Sequence, residues 1–128
     1  PETDKPVIAL MDEQMHITDK GGTMRLGAQK CDLIEGSIAK AAYGETHITE
    51  RHRHRYEFNN DFKDALTGAG LKATGINPDS GLVEIVEVED HPFFVGVQYH
   101  PEYKSTVVKP HPLFVAFVKA CDEFHQKK

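Results

Sequence analysis

The chain has 128 residues, of which 39% are hydrophobic and 27% charged, enough for one folded domain or part of a larger one. Its 20 acidic residues outnumber its 15 basic residues and give a formal charge of −5, so we expect no nucleic-acid partner. The longest apolar stretches, residues 93–97 and 113–118, are far shorter than the roughly 20 residues of a membrane-spanning helix, so we expect no membrane partner. No basic and apolar leader opens the sequence, and the two cysteines do not make a disulfide framework, which favours a cytoplasmic location.

The first third of the chain predicts two strands and a helix. Residues 7–11 form an apolar run of strand length, and a polar loop follows over residues 12–22. Residues 23–29 alternate apolar and polar side chains, as a half-buried strand does. Residues 37–43 predict a short helix, with Ser37 as its N-cap and Gly44 just past its end.

The middle of the chain contains the string THITERHRHRYEF over residues 46–58, in which arginines alternate with His52, His54 and Tyr56. On a strand, these two sets would face opposite sides of a sheet. Asn59 and Asn60 then offer a cap for a helix over residues 61–69, ended by Gly70. Residues 71–75 and 82–88 predict two strands that form a hairpin around a turn at 77–81.

The last third predicts a buried strand and a closing helix. Residues 93–99 are almost all apolar, which is typical of a central strand covered on both faces. Pro101 ends that strand, because proline cannot continue an interior ladder of hydrogen bonds. Residues 110–124 predict a helix whose apolar face carries Phe114, Phe117, Val118 and Cys121.

His100 and Glu102 flank this proline and are candidates for a catalytic pair. A carboxylate that accepts a hydrogen bond from one imidazole nitrogen leaves the other nitrogen free to act as a general base. The alternative is a capping or surface role for both side chains. Such a base needs a nucleophile, but Cys31 and Cys121 are both expected to be structural, as small buried side chains.

The histidines and arginines of the string admit more than one interpretation. His52 and His54, with His47, could be metal ligands, but three arginines nearby oppose a divalent cation and argue against zinc. The string could instead bind an anionic carboxylate or phosphate, which arginine grips with two hydrogen bonds. It could also be an ordinary solvated strand, and the residues alone leave these two alternatives open.

Three strings in order resemble the CTP synthase family: GGTMRLGAQ at residues 21–29, ERHRHRYEFN at 50–59 and VGVQYHPEYKS at 95–105. They are similar to the C-terminal half of the class I glutamine amidotransferase domain in that family, and HPLFVAFVKA at residues 111–120 resembles its closing helix. The similarity runs from about residue 7 to residue 124. It implies an α/β fold, the C-terminal portion of a flavodoxin-like amidotransferase domain with a mixed sheet and flanking helices.

The resemblance also implies roles for particular residues. His100 would be the base and Glu102 its orienting carboxylate in a Cys-His-Glu triad that hydrolyses glutamine, and Arg55 would contact the glutamine. The ammonia would serve the ATP-dependent conversion of UTP to CTP. The loop over residues 12–20 would belong to the region that responds to GTP, the allosteric activator of the family.

The resemblance further implies that residues 1–128 are only part of the parent enzyme. The nucleophile-bearing half of the domain and the synthase domain, which binds UTP, ATP and magnesium, would lie outside this sequence. We therefore expect no cofactor on this chain, no activity from the chain alone, and the remainder of the same enzyme as partner, in a homo-oligomer. A sheet cut in this way would leave a strand unpaired, so the isolated chain should aggregate or need a partner. The alternative function is a catalytically inactive binding or regulatory module derived from such a domain.

Overall fold

The computed structural model describes residues 3–10 and 25–127. The predicted loop over residues 12–22, and with it the segment assigned to GTP, lies outside the described residues. The elements within them are strands β1 to β7, helices α1 to α3 and two 3-10 helices. In chain order they are β1 Ile8–Leu10, β2 Arg25–Leu33, α1 Ile38–Tyr43, β3 His47–His54, β4 Tyr56–Phe58, a 3-10 helix Asn60–Phe62, α2 Lys63–Gly68, β5 Leu71–Ile76, β6 Val83–Val88, β7 Val95–Val97, a 3-10 helix Pro101–Lys104 and α3 Pro112–Gln126.

A five-stranded sheet in the order β3-β2-β5-β6-β7 forms the centre of the fold, and β1 pairs with β4 in a separate two-stranded sheet. Every strand pair in the described residues is antiparallel. The longest pairing joins β2 to β3, from Arg25 opposite His54 to Asp32 opposite His47. On β3 the predicted alternation is confirmed: the buried side chains are Ile48, Glu50 and His52, and the exposed ones are His47, Thr49, Arg51 and Arg53.

Strand β7, predicted as a central strand, has one strand neighbour among the described residues, as expected for a sheet cut within the domain. It is three half-buried residues long and lies at the end of the sheet, where it pairs with β6 alone among the described strands. Within this chain, Val95 and Val97 of the apolar run pack on the core, and Phe93 contacts Phe117 of α3. An apolar run predicts that its side chains are covered, but it does not predict how many strands lie beside it.

The core lies between this sheet and helices α1 and α3. Its buried residues come from β2, β3, β6, both helices and the end of the β7 segment: Cys31, Leu33, Ala39, Ile48, Ile85, Tyr99 and Leu113. Cys31 is completely buried, which confirms its predicted structural placement. Tyr99, the residue before His100, belongs to this core, so the turn that follows β7 begins at a buried residue.

Local signals set the helix ends. The hydroxyl of Ser37 accepts a hydrogen bond from the Lys40 amide at 3.0 Å, and Gly44 has a φ of 74°, so both predicted caps of α1 are confirmed. The helix predicted over residues 61–69 is split into a 3-10 turn, capped by Asn59, and the six-residue α2. Within the described ranges, no helix has the length and hydropathy needed to cross a bilayer.

Helix α3 corrects a second prediction. Phe114, Phe117, Val118 and Cys121 were expected on a buried face, but all four are exposed among the residues described. Leu113 is the residue of α3 that enters the core. Helical periodicity identifies which side chains share a face, but it cannot say whether another element covers that face.

Gly75 on β5 gives a test of the core packing. A Cβ at this position would lie 2.6 Å from Cγ1 of Ile85 and 2.8 Å from Sγ of Cys31. Gly75→Ala should therefore lower the free energy of unfolding by about 1–3 kcal/mol, measured by urea denaturation. Gly68→Ala is the matched control, because a Cβ on Gly68 in α2 meets no atom within 4 Å and alanine is the better helix former. Equal stabilities of the Gly75→Ala variant and the unmodified protein would contradict this packing.

Candidate active site

The residues after β7 form a rigid turn that carries His100 and Glu102. The His100 amide donates to the carbonyl of Arg51 on β3 at 2.9 Å, which fixes the start of the turn. Pro101 then begins the 3-10 helix Pro101–Lys104, and the Ser105 amide closes it by donating to the carbonyl of Glu102 at 3.2 Å. Proline suits this first position, because its missing N–H would have no partner there.

The turn brings the two predicted site residues together. Nδ1 of His100 lies 3.2 Å from Glu102 Oε2 and also 3.2 Å from Oε1. The side chains are 37% and 56% exposed, so both can be reached by a substrate. The ring of Tyr103 stacks on the His100 imidazole, with centroids 5.1 Å apart and planes 22° apart. Because the carboxylate faces Nδ1, Nε2 is the nitrogen available to exchange a proton with a substrate.

His52 and His54 of the string are joined by a hydrogen bond. His54 Nδ1 lies 3.1 Å from the carbonyl of Tyr56, which can only accept, so His54 carries its proton on Nδ1. His54 Nε2 is then the acceptor for Nδ1 of His52 at 2.7 Å. This leaves Nε2 of His52 without a proton, 3.4 Å from Oε2 of Glu84. A protonated Glu84 can therefore donate to His52.

Burial and nearby charges set the protonation of His52 and His54. The guanidinium of Arg25 contacts Glu57 Oε1 and Glu84 Oε1, each at 2.8 Å. Burial, followed by the charge of Arg25, lowers the pKa of His52 to about 3 and that of His54 to about 4. Burial also raises the pKa of Glu84 to about 7, against the opposing effect of Arg25. Both imidazoles are therefore neutral at physiological pH.

The cluster does not favour a metal centre, although His52, His54 and Glu84 offer ligand atoms within 4.8 Å of one another. Arg25 already compensates the Glu84 carboxylate, and a divalent cation would be placed beside this guanidinium. His47, the third predicted ligand, lies at the other end of β3, where Nδ1 contacts Asp32 Oδ1 at 2.7 Å.

The arginines of the string fall in two environments. Arg51 and Arg53 are exposed on the face of β3 opposite His52, and Arg55 is half-buried between β3 and β4. Since the His100 turn is hydrogen-bonded to Arg51, this strand lies beside the turn. The contact of Arg55 with glutamine stays a prediction.

The two cysteines lie in different surroundings. Burial raises the pKa of the Cys31 thiol to about 12, so the reactive thiolate is suppressed. Cys121 is exposed on α3, an element separate from the turn.

Comparison with known proteins identifies the family. The model of the family described as glutamine amidotransferase class-I matches residues 5–120. The chain belongs to this family. Its two predicted triad residues lie within the matched range.

The most similar relatives of this amidotransferase chain include CTP synthases. The chain is 65% identical to the CTP synthase of Flavobacterium johnsoniae, covering 98% of this chain and 24% of the relative. It is 62% identical to that of Bacteroides thetaiotaomicron, covering 95% of this chain and 23% of the relative. The chain thus spans about a quarter of the length of these relatives.

A solved structure confirms the predicted fold. The glutaminase domain of Trypanosoma brucei CTPS with bound acivicin superposes with a TM-score of 0.84 at 35% identity. The alignment covers 95% of this chain and 48% of that chain. The α/β amidotransferase fold and the resemblance to CTP synthase are therefore confirmed.

The buried histidines of this amidotransferase chain predict a particular loss of stability in acid. Between pH 6.5 and 4.5, the ordinary pKa values of histidine and glutamate, the unfolded chain protonates His52 and His54 whereas the folded chain protonates only Glu84. The unfolded state then binds one more proton from these groups, so their contribution to stability falls by about 1.4 kcal/mol per pH unit as the pH falls.

His52→Gln should remove this excess, so that the variant loses about 1.4 kcal/mol less stability per pH unit over the same range. Urea unfolding at several pH values measures both slopes. Parallel pH profiles for the two proteins would contradict the neutral, buried state of His52.

Proposed function

We propose that the chain supplies the histidine and glutamate of a glutamine-hydrolysing Cys-His-Glu triad within a CTP synthase. The contact between His100 Nδ1 and the Glu102 carboxylate, on an accessible turn, is the observation that carries the proposal. Membership of the amidotransferase family and the similarity to CTP synthases support it.

In the proposed reaction, Nε2 of His100 accepts the proton of a cysteine thiol, and the thiolate attacks the side-chain amide carbon of glutamine. The carbon–nitrogen bond breaks as His100 returns the proton to the departing ammonia, leaving a thioester. Water, activated by the same imidazole, then releases glutamate. Glu102 orients the ring and stabilises the imidazolium that forms in each proton transfer.

The nucleophile in this proposal is a thiol other than Cys31 or Cys121. Cys31 is wholly buried with a raised pKa, and Cys121 lies on α3. The relatives extend well beyond the matched quarter, so the remainder of the same enzyme can provide the thiol.

The ammonia would be used in the ATP-dependent conversion of UTP to CTP. ATP and magnesium belong to that second half-reaction, and the proposal assigns no residue of this chain to them. Arg55 is proposed to contact the glutamine, since it lies half-buried at the end of the strand that anchors the His100 turn. An arginine can grip the carboxylate of an amino acid with two parallel hydrogen bonds.

The proposed partner is the remainder of the same enzyme, and two surfaces favour such an association. The outer edge of β7 has no neighbour among the described strands, and unpaired edges tend to recruit another strand. The large apolar side chains of α3, among them Phe114, Phe117 and Val118, are exposed on the same chain.

The proposal is tested in the full-length enzyme by His100→Ala. We expect glutamine hydrolysis to fall by about 10²–10⁴-fold, because the proton transfers lose their base. CTP formation from ammonium chloride, which needs no hydrolysis, should be retained. His91→Ala is the matched control, because His91 is another exposed histidine whose Nδ1 accepts from the Phe93 amide.

Full glutaminase activity in the His100→Ala enzyme would refute the catalytic role. Absence of glutamine hydrolysis in the unmodified enzyme, together with retained glutamine binding, would favour the alternative of an inactive binding or regulatory module.

A further inference from the structure

We propose that the buried carboxylate of Glu50 is a positioning residue for the His100–Glu102 pair. This inference rests on the proposed function. Glu50 lies on β3. It is linked to Tyr99, before the pair, through the hydroxyl of Tyr43, and it forms an ion pair with Lys104, after the pair. Its removal should therefore impair the proton transfers and leave glutamine binding largely intact.

Glu50 is 1% exposed, and two hydrogen-bond donors and one ammonium group from three other parts of the chain compensate its charge. Its Oε2 accepts hydrogen bonds from Tyr43 Oη at 3.0 Å and from His111 Nε2 at 2.6 Å. Its Oε1 lies 3.1 Å from Nζ of Lys104. These partners belong to α1, to the N-cap of α3 and to the 3-10 helix of the His100 turn.

The direction of each hydrogen bond follows from its neighbours. Nδ1 of His111 accepts from the Leu113 amide at 3.1 Å, so the imidazole proton lies on Nε2 and points at Glu50. Tyr43 donates to Glu50, so its oxygen is free to accept from the Tyr99 hydroxyl at 2.9 Å. Burial raises the pKa of both tyrosines, which keeps them protonated as donors.

The network holds the catalytic turn at its start and at its end. Tyr99, linked to Glu50 through Tyr43, directly precedes His100. Lys104, paired with Glu50, is the last residue of the 3-10 helix that carries Glu102, and it also donates to the carbonyl of Thr49 at 2.6 Å.

The segment after the turn, from Ser105 to His111, is linked to the same carboxylate. The amide of His111 donates to Oγ of Ser105, the residue after the 3-10 helix, at 2.9 Å. His111 in turn donates to Glu50. One carboxylate thus restrains the residue before the pair, the residue that ends its helix and the segment beyond it.

In Glu50→Gln one oxygen remains to accept from Tyr43 and His111, but an NH2 group replaces Oε1 beside Lys104. The ion pair that holds the end of the turn is then lost, and the turn would shift. A displacement of about 1 Å in a catalytic group can reduce a rate by about a hundredfold. Binding of glutamine through other residues would change less, so the effect should fall mainly on kcat.

The test is Glu50→Gln in the full-length enzyme, with kcat and KM for glutamine hydrolysis measured separately. We expect kcat to fall by about tenfold to a hundredfold, with KM within about threefold of its original value. CTP formation from ammonium chloride reports whether the rest of the enzyme remains folded.

Glu87→Gln is the matched control. Glu87 is also a buried carboxylate with three donors, the amides of Ile38 and Ala39 and the hydroxyl of Thr74, but none of these belongs to the His100 turn. This variant should keep the original kcat per folded enzyme, even if it is less stable. Lys104→Met gives a second test where Glu50→Gln does not fold, because Lys104 is 49% exposed and its aliphatic stem is retained in methionine.

A reduced kcat in Glu50→Gln or Lys104→Met, with the Glu87→Gln control unaffected, supports the positioning role. An unchanged kcat in folded Glu50→Gln, an unchanged kcat in Lys104→Met, or an equal loss in the control would overturn it. His100→Ala, assayed in parallel, separates the two proposals. If the His100→Ala enzyme remains active, the proposed function fails. If His100→Ala is inactive but Glu50→Gln and Lys104→Met keep full activity, only the role of Glu50 fails.

Discussion

Buried carboxylates need compensating charges or hydrogen bonds, and this requirement joins the separate parts of the fold. Glu50, Glu57, Glu84 and Glu87 are all buried on strands β3, β4 and β6. Removing a carboxylate from water costs several kcal/mol unless charges or hydrogen bonds compensate it. Glu57 and Glu84 share Arg25 of β2, and Glu87 binds the first amides of α1. Glu50 binds α1, the start of α3 and the His100 turn.

These contacts explain how an accessible pair of residues can have a fixed geometry. His100 and Glu102 lie on a surface turn, where loops are ordinarily the most mobile part of a protein. Here the turn is hydrogen-bonded to β3 and begins at a core residue, Tyr99. Under the proposed function, the imidazole can thus face a substrate while its carboxylate partner keeps Nε2 oriented.

Much of the local structure could be predicted from the sequence, because the relevant signals lie within a few residues of each other. Ser37 and Gly44 bound α1 as expected, and alternation along β3 separates His52 from the exposed arginines. The His100–Glu102 contact also follows from a local feature, the proline between them. The family resemblance likewise rests on short, continuous sequence strings.

The features that escaped prediction depend on tertiary contacts. The exposed face of α3 is set by which elements pack nearby. The burial of Glu50 and Glu84 could not be predicted from the sequence, because a glutamate on a strand is ordinarily expected to face solvent. Their donors, among them Arg25 and His111, are distant in the chain and meet them only after folding.

The most direct test of the account is a crystal structure of the full-length enzyme after reaction with a covalent glutamine analogue. The account predicts that the modified cysteine sulfur lies about 3–3.5 Å from Nε2 of His100, with Glu102 still on Nδ1. A modified sulfur out of reach of His100, served by a different base, would contradict it.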